Sequence, residues 1–195
     1  MKKILLTSAM VMTVIAGAFA QTTWNVDKTH SRVGFSVEHL VISETEGNFK
    51  DFDGKVVSKS DDFTDSDIEF HINVASIDTD LADRDNHLKS ADFFDAEKYE
   101  KITFKGKSLK KVDGKNYKLV GDLTIKDVTK EVELDVVFNG VVKDPWGNTK
   151  AGFKLTGAIN RFDYGLKWNT LTEAGGLVVG EEVNIEVKFE LAKQG

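Results

Sequence analysis

Seven side chains carry most of the recognisable chemistry in this sequence: the histidines His30, His39, His71 and His87 and the arginines Arg32, Arg84 and Arg161. The histidines are spread along the chain without the spacing of metal ligands. No H-E-x-x-H, G-x-S-x-G, phosphate-binding glycine loop or G-x-G-x-x-G accompanies them. Cysteine is absent, which removes thiolate metal sites, disulfides and thiol nucleophiles. Asp61, Asp62, Asp65 and Asp67 lack the regular spacing and glycine of a calcium loop and read as a solvated turn. Neither a metal nor a cofactor is expected. His71 falls on the charged face of its segment. His30 and His87 sit in polar clusters where elements end, so each suits either an acid/base or head-group role or a hydrogen bond that pins a turn.

Arginine is scarce beside lysine, and its planar fork binds carboxylate or phosphate in a way lysine does not reproduce. Arg84 lies in Asp83-Arg84-Asp85 and Arg161 in Arg161-Phe162-Asp163. Two readings apply to both: ion pairing that fixes a corner of the fold, or recognition of an anionic head group. Arg84, Arg161, His30 and His87 are therefore the head-group candidates.

The elements that must position these residues alternate apolar and polar side chains with period two, the pattern of half-buried strands. Val33, Phe35 and Val37 share one face, and Phe49 follows. Ile68, Phe70, Ile72 and Val74 form the clearest run, opposite Glu69, His71 and Asn73. Ile102 with Phe104, Leu119 with Leu123, and Leu134, Val136 and Phe138 continue the pattern. Phe153, Leu155 and Ile159 lead to Ile185 and Val187 in the last run. Turns are expected at Asp53-Gly54, Asp113-Gly114 and Asp144-Pro145-Trp146-Gly147. The alternation stops between Asp78 and Tyr99, where charges crowd around Phe93, Phe94 and Tyr99. That stretch reads as one or two short helices, with Asp80/Asp83 and Asp92/Asp95 placed to cap them, covering one end of the sheet structure.

The pattern predicts an all-β fold of about eight antiparallel strands with a short helical insert, arranged as a closed β-barrel or a sandwich. A transmembrane barrel alternates likewise, but an eight-strand lumen would have to hold the whole Lys/Glu-rich face. An apolar interior is favoured, and the inward residues named above face it, a pattern that fits a packed core and a ligand-binding lining equally.

Residues 1–20 read as a cleaved signal peptide: Lys2 and Lys3, an apolar run, and the Ala18-Phe19-Ala20 cleavage pattern. The alternative is a retained membrane anchor. Cleavage would leave residues 21–195 as one exported domain without stable membrane insertion. Losing Lys2 and Lys3 takes the formal net charge from −6 to −8, which disfavours nucleic acid as a partner.

Several short pieces, in order, resemble the YceI-like family of exported lipid- or polyisoprenoid-binding proteins over nearly the whole mature chain. They include Trp24-Asn25-Val26-Asp27 with His30-Ser31, Gly47-Asn48-Phe49, and Arg84-Asp85-Asn86-His87-Leu88-Lys89-Ser90 running into Asp92-Phe93-Phe94-Asp95. Gly121-Asp122-Leu123-Thr124-Ile125 and Asn160-Arg161-Phe162-Asp163-Tyr164-Gly165 complete them. Glu100 departs from the proline usual there. The resemblance implies a lipocalin-like barrel holding a long isoprenoid chain, a periplasmic location and no established catalytic residue. The expected function is a periplasmic binding or carrier protein for a polyisoprenoid or quinone-like lipid, with a homodimer compatible. The alternative is an enzyme acting on an amphiphile through His30 or His87.

Overall fold

The computed structural model describes residues 21–171 and 177–194, so the expected signal peptide lies outside them. The alternating runs form β1 (Thr22–Val26), β2 (Arg32–His39), β3 (Ser43–Phe49), β4 (Phe52–Ser58), β5 (Asp67–Asn73) and β6 (Ile77–Asp78). After the helix α1 (Ala82–Lys89) come β7 (Lys101–Asp113), β8 (Asn116–Ile125), β9 (Val128–Lys143), β10 (Thr149–Asn160) and β11 (Val179–Lys193). Neighbours pair antiparallel in the order β1-β4-β5-β7-β8-β9-β10-β11, and β1 closes the ring by pairing with β11.

β1 and β2 are one wall strand with a break. The lower end of β11 pairs with β1 through Leu191–Lys193, and its upper part pairs with β2. Between them the turn Lys28–His30 is capped by Asp27, which accepts from the N–H and hydroxyl of Thr29. β3 and β4 form a second broken strand, bent at Lys50 and Asp51, with β3 beside β2 and β4 beside β1. The barrel therefore has eight wall strands, as the alternation predicts. The turn expected at Asp53-Gly54 lies inside β4, where Gly54 pairs with Phe70.

The two ends are closed differently. At the lower end, the acidic stretch from Asp61 to Asp67 is an organised loop. Asp62 accepts from the N–H and hydroxyl of Thr64, and Asp65 from the N–H of Lys59 and the hydroxyl of Ser60. Those bonds turn Phe63, at φ 63°, into the barrel, where it is 2 % exposed. At the upper end sits the insert. β6 pairs with β3, and Thr79 then holds α1: its N–H and hydroxyl donate to Asp85, while Arg84 donates to its hydroxyl and carbonyl oxygens. The expected carboxylate caps are not made there. The N-cap is Leu81, with no side-chain bond, because Asp80 adopts left-handed backbone at φ 60°. Residues 90–98 form hydrogen-bonded turns instead of a second helix. At the departure from the family pattern, Glu100 uses its carbonyl to accept from Val74 N–H, a bond proline would also allow. No helix among the described residues is long and apolar enough to cross a membrane.

Candidate functional site

The upper half of the barrel encloses an apolar cavity of about 190 Å³. Fourteen of the inward positions picked from the alternation border it. Val33, Phe35, Val37 and Phe49 come from β2 and β3, Phe70 and Ile72 from β5, Ile102 and Phe104 from β7, and Leu123 from β8. Leu134 of β9, Leu155 and Ile159 of β10, and Ile185 and Val187 of β11 complete that set. The structure places the other six elsewhere. Ile68, Leu119, Val136 and Phe153 surround a void of about 30 Å³ in the lower half. Phe138 stacks on Phe153 with ring centres 4.9 Å apart, and Val74 is buried at the turn after β5.

Space in the upper half comes from glycine set beneath aromatic rings. Gly47 pairs with Phe35 across β3 and β2, and a Cβ there would lie 2.4 Å from the ring. Gly121 leaves the same room under Phe104, at 2.3 Å. Each ring lies against the wall, so its thickness rather than its length projects inward. Phe70, seated over Gly54, stacks on Phe189 at 4.4 Å and 5°. That pair borders both the cavity and the lower void and forms the floor between them.

The roof is the insert. Leu88 of α1 and Phe93 and Phe94 of the following turns face the cavity. Phe94 meets Phe49 edge-on at 6.2 Å, Phe93 lies 5.3 Å from Trp168, and Lys126 at the β8–β9 turn donates to the Phe93 carbonyl. Phe52, Ile125, Val132, Leu166, Val179, Val183 and Phe189 also border the cavity and were missing from the sequence-derived lining. Val132, Val183 and Phe189 continue the strand alternation, so the signal for them was present. Leu88, Phe93 and Phe94 have no such period to betray them.

The head-group candidates do not converge. Arg161 alone borders the cavity. It is 3 % exposed, and its guanidinium donates to four backbone carbonyls: Gly180 at 2.7 Å, Leu166 at 2.5 Å, Trp168 at 2.9 Å and Val179 at 3.0 Å. These bonds fasten the segment after β10 to the start of β11. The expected ion pair is not formed, since Asp163 goes to Lys130 instead. Burial pushes the Arg161 pKa down, and the charge of Glu181 opposes that shift. In the same turn, burial pushes the Tyr164 hydroxyl up to about 12. Arg84 is committed to Thr79. His87 lies behind the roof, bonded to Asp92 at 3.0 Å and packed against Phe93 and Trp168.

His30 belongs to the strand break, on Asp27 at 3.1 Å. Asp27, His30 and Glu190 come close enough together to suggest a cation site, but Lys150 already lies 2.6 Å from Asp27 and 3.1 Å from Glu190. Asp53 and His71, paired across β4 and β5, border the cavity although both are exposed.

The model of the YceI-like domain matches residues 24–191. The UPF0312 protein SA2479 of Staphylococcus aureus strain N315 is 41 % identical over 172 residues, covering 88 % of this chain and 98 % of its own. Among solved structures, a Campylobacter jejuni YceI protein is 35 % identical, with a TM-score of 0.69 over 87 % of this chain and 97 % of its own. A polyisoprenoid binding domain from Saccharophagus degradans shares the fold, with a TM-score of 0.65 at 13 % identity over 88 % of this chain and 98 % of its own.

Proposed function

The chain belongs to the YceI-like family, and from that premise we propose that it is an exported carrier of a long apolar lipid of the polyisoprenoid or quinone type. In this reading residues 1–20 direct export to the periplasm and are removed there. The lipid chain lies in the upper cavity, between the Phe70–Phe189 floor and the roof of Leu88, Phe93 and Phe94. The observation that carries the proposal is the composition of that wall: strand after strand contributes aliphatic or aromatic side chains around unfilled space. Such a wall offers dispersion contacts and water exclusion along a hydrocarbon and few hydrogen bonds for a polar substrate. The polyisoprenoid binding domain of Saccharophagus degradans supports the choice of lipid class, through fold alone. Arg161, the one head-group candidate on the cavity wall, has its guanidinium on four backbone carbonyls, so the wall reads the lipid's apolar chain and not its head group.

Protein purified from the periplasm without detergent, then denatured and extracted, should release a prenyl lipid at near-stoichiometric yield by mass spectrometry. Recovery of no lipid, together with no uptake of added prenyl lipid, would overturn the carrier reading.

A further inference from the structure

Where β2 turns into β3, the sequence accepts two penalties at one place. Leu40, Val41 and Ile42 join His39 to its partner Ser43, and within that connection His39–Ile42 form a β-turn in which Ile42 N–H donates to the His39 carbonyl at 3.3 Å. Both central residues are left-handed, Leu40 at φ 54° and Val41 at φ 64°. This turn favours Asn-Gly, and a residue branched at Cβ is among the least suited to it. The same side chains are exposed apolar groups: Val41 is 64 % and Ile42 85 % exposed. Backbone strain and exposed apolar surface kept together point to function.

The turn stands on the rim of the cavity. Val37, Val179 and Val183 border the cavity, Val183 pairs with Val37, and Val179 pairs with His39. Leu40 N–H donates to the Val178 carbonyl, and Val178 N–H donates to Thr170, next to the exposed Leu171. Around the base run Glu38, Glu44, Glu181 and Glu182, all exposed and bordering one groove. None of the four takes part in an ion pair among the described residues.

We propose that this tip docks the protein on a zwitterionic, ammonium-bearing bilayer surface. Leu40, Val41 and Ile42 enter the acyl boundary, and the glutamates meet the ammonium ends of the head groups, so that the cavity rim opens onto the membrane that supplies its lipid. The inference rests on the carrier reading. An anionic surface is disfavoured by the glutamates and by the net charge of −8 left once Lys2 and Lys3 are removed from the −6 of the full chain. A bilayer suits the tip better than a protein partner does. The tip is aliphatic and lacks the aromatic and arginine anchors of protein hot spots, and it borders an apolar cavity.

The test uses vesicles of phosphatidylcholine with phosphatidylethanolamine, with and without phosphatidylglycerol, and the variant Leu40→Asn/Val41→Gly/Ile42→Thr. The wild type should co-sediment with the zwitterionic vesicles and less with the anionic ones. The variant should bind them about tenfold or more weakly, having withdrawn three apolar side chains, and should extract a prenyl lipid from them correspondingly slowly. Its thermal stability should rise, because Asn-Gly fits the turn, and its uptake of a short soluble prenyl alcohol should be unchanged. Equal extraction by variant and wild type would overturn the proposal. So would loss of vesicle binding on Trp146→Ser, in the exposed β9–β10 turn at the lower end of the barrel, or loading that requires a second protein. A wild type that ignores vesicles yet takes up the soluble alcohol sinks the docking and spares the carrier reading. One that binds neither sinks both.

Discussion

Phe153 and Phe104 are both inward-facing aromatics on strands of one barrel, and their surroundings are opposite. Phe153 packs at 5.1 Å against Phe63 and at 4.9 Å against Phe138, and Trp24 joins the cluster through Phe63 at 5.2 Å. Phe104 rests on Gly121 and borders the cavity. Alternation decides which side chains point inward and does so equally in both halves. Whether those side chains meet one another depends on what enters from the ends and what lies beneath them. Below, a loop drives Phe63 into the lumen. Above, glycines let the rings lie against the wall, and the insert closes the space without filling it.

The contrast predicts the largest effect for Phe63→Ala. Phe63 touches Trp24, Phe138 and Phe153 and has almost no exposed surface. Its truncation should cost about 3–5 kcal/mol by chemical denaturation while leaving lipid affinity nearly intact. Phe104→Ala, in the hollow half, should reverse the pattern. Its ring has fewer protein partners to lose, so stability should fall by about 1–2 kcal/mol. Prenyl-lipid affinity should drop about tenfold or more, because the ring's contacts with the ligand are removed. Equal stability losses for the two variants would break the comparison and show that the upper half is packed as tightly as the lower.

Most of the architecture was legible in the sequence because period-two alternation is a local signal. Ile68, Phe70 and Ile72 declare their face, and so do Ile185 and Val187. The division into solid and hollow halves was not legible, because it depends on residues distant in sequence. Phe63 sits in an acidic stretch that reads as a solvated turn, and only its hydrogen-bond pattern turns the ring inward. Phe153 and Phe104 look alike until the residues opposite them are known. The roof was readable as an interruption of the pattern, but its lining was not: Leu88 is the one large apolar residue of a short, otherwise polar helix, and the turns that carry Phe93 and Phe94 impose no period. Arg161 was singled out by scarcity, yet its partners are carbonyls, which every residue carries and no composition reveals.

The smallest effect concerns the junction of the two halves, where β1 breaks into β2. Asp27 and Lys150 pair there with side chains 17 % and 15 % exposed. The Lys150 ammonium and the Thr29 hydroxyl hold the Asp27 carboxyl well below its usual value near 3.8, and Asp27 in turn raises the Lys150 pKa above 10.5. Because the folded Asp27 pKa lies below the unfolded one, its contribution is fully present above about pH 4 and is lost as pH falls through the folded value. The Lys150 contribution is present below its unfolded pKa and is lost only as pH rises through its raised value. Asp27→Asn keeps a carbonyl acceptor and leaves Lys150 on Glu190, so it should cost about 0.5–1.5 kcal/mol, the range for an ordinary hydrogen bond, across the neutral range. The gap from wild type should be flat between these limits and shrink in acid. Glu186→Gln offers the contrast: Lys154 and Lys188 bring that carboxyl down to about 2, but it lies on the open outer surface. Its loss should disturb stability less than the loss of Asp27. Urea denaturation of both variants across acid and neutral pH, with lipid affinity measured alongside, checks all of this. Asp27→Asn should leave that affinity unchanged, because the pair fastens the strand break and touches neither the floor nor the roof of the cavity. A change in affinity would mean that the break transmits strain upward and that the two halves are mechanically coupled.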